Sequence, residues 1–181
     1  MDYHWIEGCL EGEAGAIEYF VCTYQQMVYR LVLSILDDPD EAEDGTQETF
    51  LAALRGMGSF QGDSAFVTWL YAIAVNVCRN RLRRRQNKAR LHNAMESLFR
   101  MHAITAPSIE ETILQAEVDA GIWKAIHSLD AGHRIPIILR YYHGLPVSEI
   151  SRIMGIPDGT VHSRLNSARE RLRRSLKEGL K

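Results

Sequence analysis

Apolar residues recur at helical spacing along almost the whole chain, and the two-residue alternation that marks strands is nearly absent. That pattern restricts the chain to an all-α fold, divided by its prolines and glycines. A helix over residues 14–36 carries Ile17, Phe20, Val21, Tyr24, Val28, Leu31 and Ile35 at its apolar positions. Pro39 interrupts the pattern, because proline has no place in a helix interior. The pattern restarts over 40–55, with Asp40 as cap and further acids at the positive helix end, and stops at Gly56 and Gly58. After the loop 59–63, Asp63 or Ser64 caps a helix to about Arg85.

Residues 86–107 are polar with sparse apolar positions and read as a partly helical linker closed by Pro107. Ser108-Ile109-Glu110-Glu111 fits a capping box and opens a helix to about Ser128. Asp130 caps a helix over 131–142, which Pro136 kinks or delays. Gly155-Ile156-Pro157 joins two last helices, 147–155 and 158–177. The expected architecture is two small helical domains, 1–85 and 108–181, joined by a linker at 86–107, with a helix-turn-helix in the second.

Several function classes fall away. No apolar run approaches the roughly 18 residues that cross a bilayer, so no membrane insertion is expected. The acidic start, Met1 to Glu7, lacks the basic and apolar regions of a signal peptide, and Cys9, Cys22 and Cys78 are too far apart for a disulfide framework. A cytoplasmic protein with reduced thiols is expected. There is no phosphate-binding loop, GxSxG or HExxH, which argues against an enzyme. His92 with His102, or His133 with His143, could in principle hold a metal, but no cysteine accompanies them; no metal and no cofactor is expected. The charge is strongly polarised: residues 1–50 hold 12 acids against Arg30 alone, while the remainder carries a net +9. Such polarity suggests two partners of opposite character, nucleic acid for the basic part and a basic protein surface for the acidic part.

Three constellations carry chemistry. Within 146–175, Val161, Leu165, Ala168 and Leu172 share one face of the last helix, and Ile150, Ile153 and Met154 can pack on it. His162, Ser163, Asn166, Ser167, Glu170, Arg173 and Arg174 lie opposite. A recognition helix needs this arrangement, with short polar side chains for base edges and arginines for phosphates. Between Arg79 and Arg90 stand seven basic residues and no acid, behind a helix with Phe66, Trp69, Leu70, Ile73 and Val77 on one face and Thr68, Asn76, Arg79 and Arg83 on another. This suits single-stranded or distorted DNA; Phe66 and Trp69 read as core, and Phe60 in the loop as the base contact. Finally, Asp44, Gln47, Glu48 and Leu51 form one helical stripe that could dock on a basic partner.

These segments resemble a known family. Ala42-Glu43-Asp44, Gln47 to Leu51, Ser59 to Phe66 and Trp69 to Asn76 are similar to region two of bacterial extracytoplasmic-function (group IV) sigma factors. Leu139 to Tyr142, Glu149-Ile150, Gly155 to Val161, Ser163 to Leu165 and Ala168 to Leu172 resemble their region four. The resemblance implies a dissociable subunit of core RNA polymerase that reads the minus-ten and minus-thirty-five promoter elements, docks on the clamp helices and flap, and is restrained by an anti-sigma factor. It implies polymerase docking by Asp44, Gln47, Glu48 and Phe50. It implies a minus-ten base pocket from Phe60, Gln61, Asp63, Ser64 and Asn76, and minus-thirty-five contacts from Thr160, His162, Ser163, Asn166 and Ser167. Arg164, Arg169 and Arg171 match backbone-contacting or structural positions. Gly45 stands where the family usually has a larger aliphatic residue and costs about 1 kcal/mol in a helix interior, which predicts weaker docking or a more mobile helix. His162 replaces a basic residue, which makes its DNA contact pH-dependent. A stand-alone helix-turn-helix regulator is the alternative, but it leaves residues 1–90 without a role; a protein-only adaptor leaves the recognition helix without one.

Overall fold

The computed structural model describes the backbone of residues 4–99 and 114–178, with side chains placed for 4–89 and 121–177. Among these, helix is the only repeating structure. Helices α1 (His4–Glu11), α2 (Ala14–Leu36), α3 (Pro39–Gly56) and α4 (Phe66–Phe99) form the first bundle, with a short 3-10 turn at Met57–Ser59. Helices α5 (Leu114–Ser128), α6 (Ala131–Ile137), α7 (Val147–Met154) and α8 (Asp158–Glu178) form the second, with a π-helical turn at Ile138–Tyr142 after α6.

Three local outcomes differ from expectation, each for a physical reason. Asp38, not Asp40, caps α3: its Oδ1 accepts the Glu41 N–H at 3.0 Å, and Pro39 takes the first helical position, where its missing N–H costs nothing. The helix expected to end near Arg85 continues to Phe99, because no glycine or proline stops it, so the first part of the linker segment is helical. The acidic N-terminus contains α1, whose Trp5 stacks on Phe20 at 5.3 Å and meets Phe66 edge-on at 4.9 Å. The capping box at Ser108 lies outside the described residues.

Gly45 is a packing residue. It is buried where α3 crosses α2, and a Cβ there would stand 2.9 Å from Val32 Cγ1. The missing side chain lets two helices approach, which offsets its helix-propensity cost. Packing, which the sequence does not show, is thus a role for Gly45 beside its effect on the helix. Phe20, Phe50, Phe66 and Leu70 fill the space beneath.

The two bundles share one continuous core and meet along a polar joint. Helix α4 lies on α7, and the Arg79 guanidinium donates to the Met154 carbonyl at 3.3 Å, at the C-terminal end of α7. Three other donors sit on the C-terminal end of α2. His127 Nε2 donates to Ser34 O at 3.0 Å, Arg134 to Ile35 O at 3.1 Å and Arg85 to Leu36 O at 3.0 Å. His143 completes the joint, with Nε2 3.3 Å from Ser34 Oγ and its ring edge-on to Tyr71 at 5.8 Å.

Two measurements check this description. Gly45→Leu is expected to lose about 1–3 kcal/mol in urea unfolding through overpacking against Val32, and Gly45→Ala to lose less, because its Cβ still displaces the buried, β-branched Val32 while helix propensity returns about 1 kcal/mol. The second concerns pH. Burial, and then the Arg30 charge, lower the pKa of His143 below its ordinary 6.5. The unfolded chain binds the proton more readily, so the contribution of His143 is complete above the ordinary value and is lost as pH falls through the lowered one. The urea midpoint is expected to fall between about pH 7.5 and pH 5, and His143→Gln to flatten that dependence.

Candidate nucleic-acid and protein interfaces

Helix α7 ends at Gly155, whose φ of +63° takes the left-handed turn that other residues adopt at a cost. Its N–H and that of Ile156 close back on Arg152 O and Ser151 O, and Ser151 Oγ donates to Ile156 O at 2.6 Å. This tight joint fixes the angle between α7 and α8. Val161, Leu165 and Ala168 are buried against Ile150, Ile153 and Met154, as the periodicity predicts, and Leu172 is half-buried. His162, Ser163, Asn166 and Arg173 are exposed; Thr160, Arg164 and Ser167 are half-buried. Ser163 Oγ is turned back on Thr160 O at 3.0 Å, Asn166 Oδ1 accepts from Arg169, and Arg173 pairs with Glu170 at 3.2 Å. These are short-range surface bonds that nucleic-acid groups can replace. Arg171 and His133 hold Asp130; burial raises the Asp130 pKa, but bonds from His133 and Arg171 outweigh it and keep the carboxyl below the usual range. Asp130 therefore ties α6 to α8 and makes no side-chain cap bond to α6.

The basic run on α4 divides by helical spacing. Arg81 and Arg85 face α3: Arg81 binds Glu48 at 3.0 Å and lies 3.8 Å from Asp44, and Arg85 binds Glu41 at 2.7 Å and Asp38 at 3.1 Å. Four of the twelve acids in the first 50 residues thus share two arginines inside the first bundle, which offsets part of the charge polarity read from the sequence. The expected docking stripe keeps Asp44 and Gln47 exposed, with Glu48 half-buried. Phe50, expected among the docking residues, is 7% exposed and packs edge-on to Phe20 at 5.0 Å. A side chain so placed has no surface to offer. Leu51, one residue on, is 54% exposed and supplies the apolar part of the stripe. Its place at i+7 from Asp44 was the signal for it.

On the other side of α4, Asn76 and Arg83 are exposed, and Asn76 Oδ1 accepts from Arg79 at 3.4 Å. Arg79 is half-buried in the joint with α7. Desolvation, and then the Arg164 charge, lower its pKa, so a phosphate in place of the Met154 carbonyl would stabilise the guanidinium better. Phe60 is half-buried and packs on Phe66 at 5.2 Å and Trp69 at 5.6 Å, while Gln61 and Asp63 are exposed and Ser64 is half-buried beside it. Expected as the base contact, Phe60 is here the outer wall of the aromatic core. Cys78 is buried and its thiol is pushed up to about 12, which makes it inert. No group of metal-ligating side chains and no helix long and apolar enough to cross a membrane occurs among the described residues.

Comparison with known proteins places both halves. Sigma-70 region 2 matches residues 20–88, and Sigma-70, region 4 matches 125–174. The chain is 34% identical to the RNA polymerase sigma-H factor of Pseudomonas aeruginosa, over 97% of this chain and 94% of that protein. It is 35% identical to the ECF RNA polymerase sigma-E factor of Haemophilus influenzae and 32% identical to SigW of Bacillus subtilis, in each case over 93% of this chain and 92% of the relative. Among solved structures, CnrH in complex with the cytosolic domain of CnrY aligns with a TM-score of 0.65 at 21% identity, over 96% of both chains. The sigma factor RpoE of Bartonella quintana, in complex with the anti-sigma factor NepR, has a TM-score of 0.65 at 24% identity, over 88% of this chain and 96% of that one. These two likenesses show the fold. A buried-anchor helix-turn-helix, a basic helix beside an aromatic loop and matches spanning both bundles converge on one conclusion: the chain belongs to the ECF-type sigma factors, promoter-recognising proteins that direct the initiation of transcription.

Proposed function

We propose that this chain is a group IV sigma factor acting in the cytoplasm, that residues 1–85 dock on core polymerase and read the minus-ten element, and that residues 108–181 read the minus-thirty-five element. The observation that carries the assignment of sites is the division of α4: one stripe of arginines is spent on α3, and a second, Asn76, Arg79 and Arg83, is left for DNA. Asp44, Gln47 and the exposed Leu51 form the docking edge; Glu48 joins it by exchanging Arg81 for a polymerase cation. Gln61, Asp63 and Ser64, beside Phe60, receive an unstacked base, and Asn76 bonds its edge. Thr160, His162, Ser163, Asn166 and Ser167 meet bases in the major groove, and Arg164 and Arg173 meet phosphates. The family resemblance adds an anti-sigma protein as a regulatory partner.

The closed joint bears on this reading. Two elements about 25 base pairs apart are separated by about 85 Å of duplex. A compact chain of this length has a radius of gyration of about 16 Å, so the bundles must part before both elements are read. Parting would release Arg79 from Met154 and return it to DNA. The test of the whole reading is to mix the purified chain with core RNA polymerase and a promoter library. Open complexes detected by permanganate footprinting are expected; duplex binding by the chain alone, with no polymerase-dependent melting, would favour the stand-alone regulator.

Two sets of variants test the surfaces. Asp44→Arg with Glu48→Arg is expected to weaken polymerase binding while circular dichroism stays unchanged. Arg81→Gln serves as the control that removes the internal pair, worth about 0–1 kcal/mol at such exposure, without reversing charge. Unchanged polymerase affinity in the double variant would remove α3 from the docking surface. On α8, Asn166→Ala is expected to relax base preference at one or two upstream positions, at about 1–3 kcal/mol for the preferred base. Arg173→Ala is expected to weaken all promoters alike and to lower the salt dependence by about one phosphate contact. Selection from a library randomised across the upstream element distinguishes the two.

A further inference from the structure

Arg30 is the sole basic residue among the first 50, and none of the surfaces proposed above uses it. It forms no hydrogen bond or ion pair with any described residue. Thr23, Gln26, Met27 and Arg30 stand at i, i+3, i+4 and i+7 on α2 and so share one face. With Tyr71 of α4 and His143 of the second bundle, that face lines a half-open cavity of about 250 Å³. We propose that this cavity is a binding site for a small oxyanion, a group of sulfate, phosphate or carboxylate type, and that its occupation clamps the two bundles together.

Charge, donors and size all suit a small anion. Twelve acids lie in the first 50 residues, yet no aspartate or glutamate lines the cavity; its wall offers one guanidinium, a phenol, a carboxamide, a hydroxyl and an imidazole. A guanidinium without a carboxylate beside hydroxyl and amide donors suits an anion. The tautomer of His143 follows from its neighbour. Ser34 Oγ gives its proton to Leu31 O at 2.7 Å, so it accepts the Nε2 proton of His143. The other nitrogen, Nδ1, becomes a donor when the ring is protonated. The groups facing this ring are Arg30 from α2, Tyr71 from α4 and Tyr142 from its own turn, with His127 and Asp37 beyond Ser34. None beside the ring is anionic, and the Arg30 charge itself opposes its protonation. An anion set between Arg30 and His143 removes that opposition, so binding is accompanied by proton uptake and tightens in acid. The volume lies below the roughly 300–1,000 Å³ of sites for drug-sized ligands, which fits a small ion.

The clamp follows from the composition of the wall. Arg30 and Tyr71 belong to the first bundle and His143 to the second, so the complete site exists only when the bundles are together. A ligand that needs both halves favours the closed state by its differential affinity for it.

The probe is sulfate, whose own charge is constant over the range tested, exchanged for chloride at fixed ionic strength with the full chain. Calorimetry is expected to give saturable one-to-one binding, tighter at about pH 6 than at about pH 8. Binding is expected to weaken at least tenfold in Arg30→Gln, at about 1.4 kcal/mol per tenfold, and to a lesser extent in Tyr71→Phe, with helicity unchanged in both. Acetate in the same titration reports whether a planar monoanion serves as well as a tetrahedral dianion. Hydrogen exchange of peptides spanning the contact of α4 with α7 reads the clamp. At sulfate near ten times its Kd, opening is expected to slow about tenfold in the wild type and to be unaffected in Arg30→Gln. Heats that do not saturate, or that persist in Arg30→Gln, would overturn the site. Saturable, Arg30-dependent binding with unchanged exchange would overturn the clamp. Neither readout involves polymerase or promoter, so both are independent of the assignment of the DNA-reading surfaces.

Discussion

The C-terminal end of α2 is the constraint around which the chain is arranged. A helix of 23 residues leaves its last carbonyls without intrahelical partners and concentrates partial negative charge there. This helix has no basic residue of its own in its last turn. Its carbonyls are nevertheless all satisfied: Leu33 O by the Asp37 N–H in a left-handed turn, Ser34 O by His127, Ile35 O by Arg134 and Leu36 O by Arg85. The donors come from α4, α5 and α6, so one capping problem is solved by recruiting both bundles. Arg134 is committed further, since it also donates to Leu129 O at 3.2 Å and thereby orders the entry to α6. Substituting such a residue would leave several buried carbonyls unpaired together, at about 1–3 kcal/mol for each.

The opposite contact has the same chemistry in reverse. Arg79 of the first bundle caps α7 of the second through Met154 O. Each bundle thus lends cations to a helix end of the other. Charged donors on carbonyls are strong bonds, but every one of them has a natural competitor outside the chain, a phosphate for Arg79 above all. These polar bonds are the part of the joint for which a polyanion can compete; the continuous apolar core beneath them offers DNA nothing to exchange.

Much of this was legible in the sequence, and the boundary of legibility is physical. Periodicity located α2, α3, α7 and α8, because each buries one stripe against a neighbour and the stripe is written locally. The anchor of Val161, Leu165 and Ala168 was readable for the same reason, as was the turn at Gly155. The errors concern what periodicity does not encode. The family resemblance assigns Phe50 to the docking helix, yet the position of Phe20 on another helix makes its side chain part of the core. The role of Gly45 depends on Val32, and the roles of Arg81 and Arg85 depend on acids more than 30 residues away. The length of α4 was written in the absence of breakers before Pro107, a signal outweighed by polar composition.

The division of the α4 arginines has a consequence for reading charge in such chains. Seven basic residues in twelve positions look like one nucleic-acid surface. On a helix the residues at i and i+4 share a face, so Arg81 with Arg85 and Arg79 with Arg83 form two separate rows. The first row neutralises α3 and holds the bundle; the second row remains for a ligand. Substitutions in the two rows therefore act on different quantities, although the residues alternate in sequence. Loss of Arg81 or Arg85 acts on stability at any salt concentration where the fold is measured, moderated by screening of half-exposed pairs. On the function proposed above, loss of Arg79 or Arg83 would act on DNA affinity and its salt slope. Arg79 belongs in part to both: it now holds the Met154 carbonyl, and under the proposed function the phosphate it would take is the alternative, so that exchange would couple opening of the joint to binding of DNA.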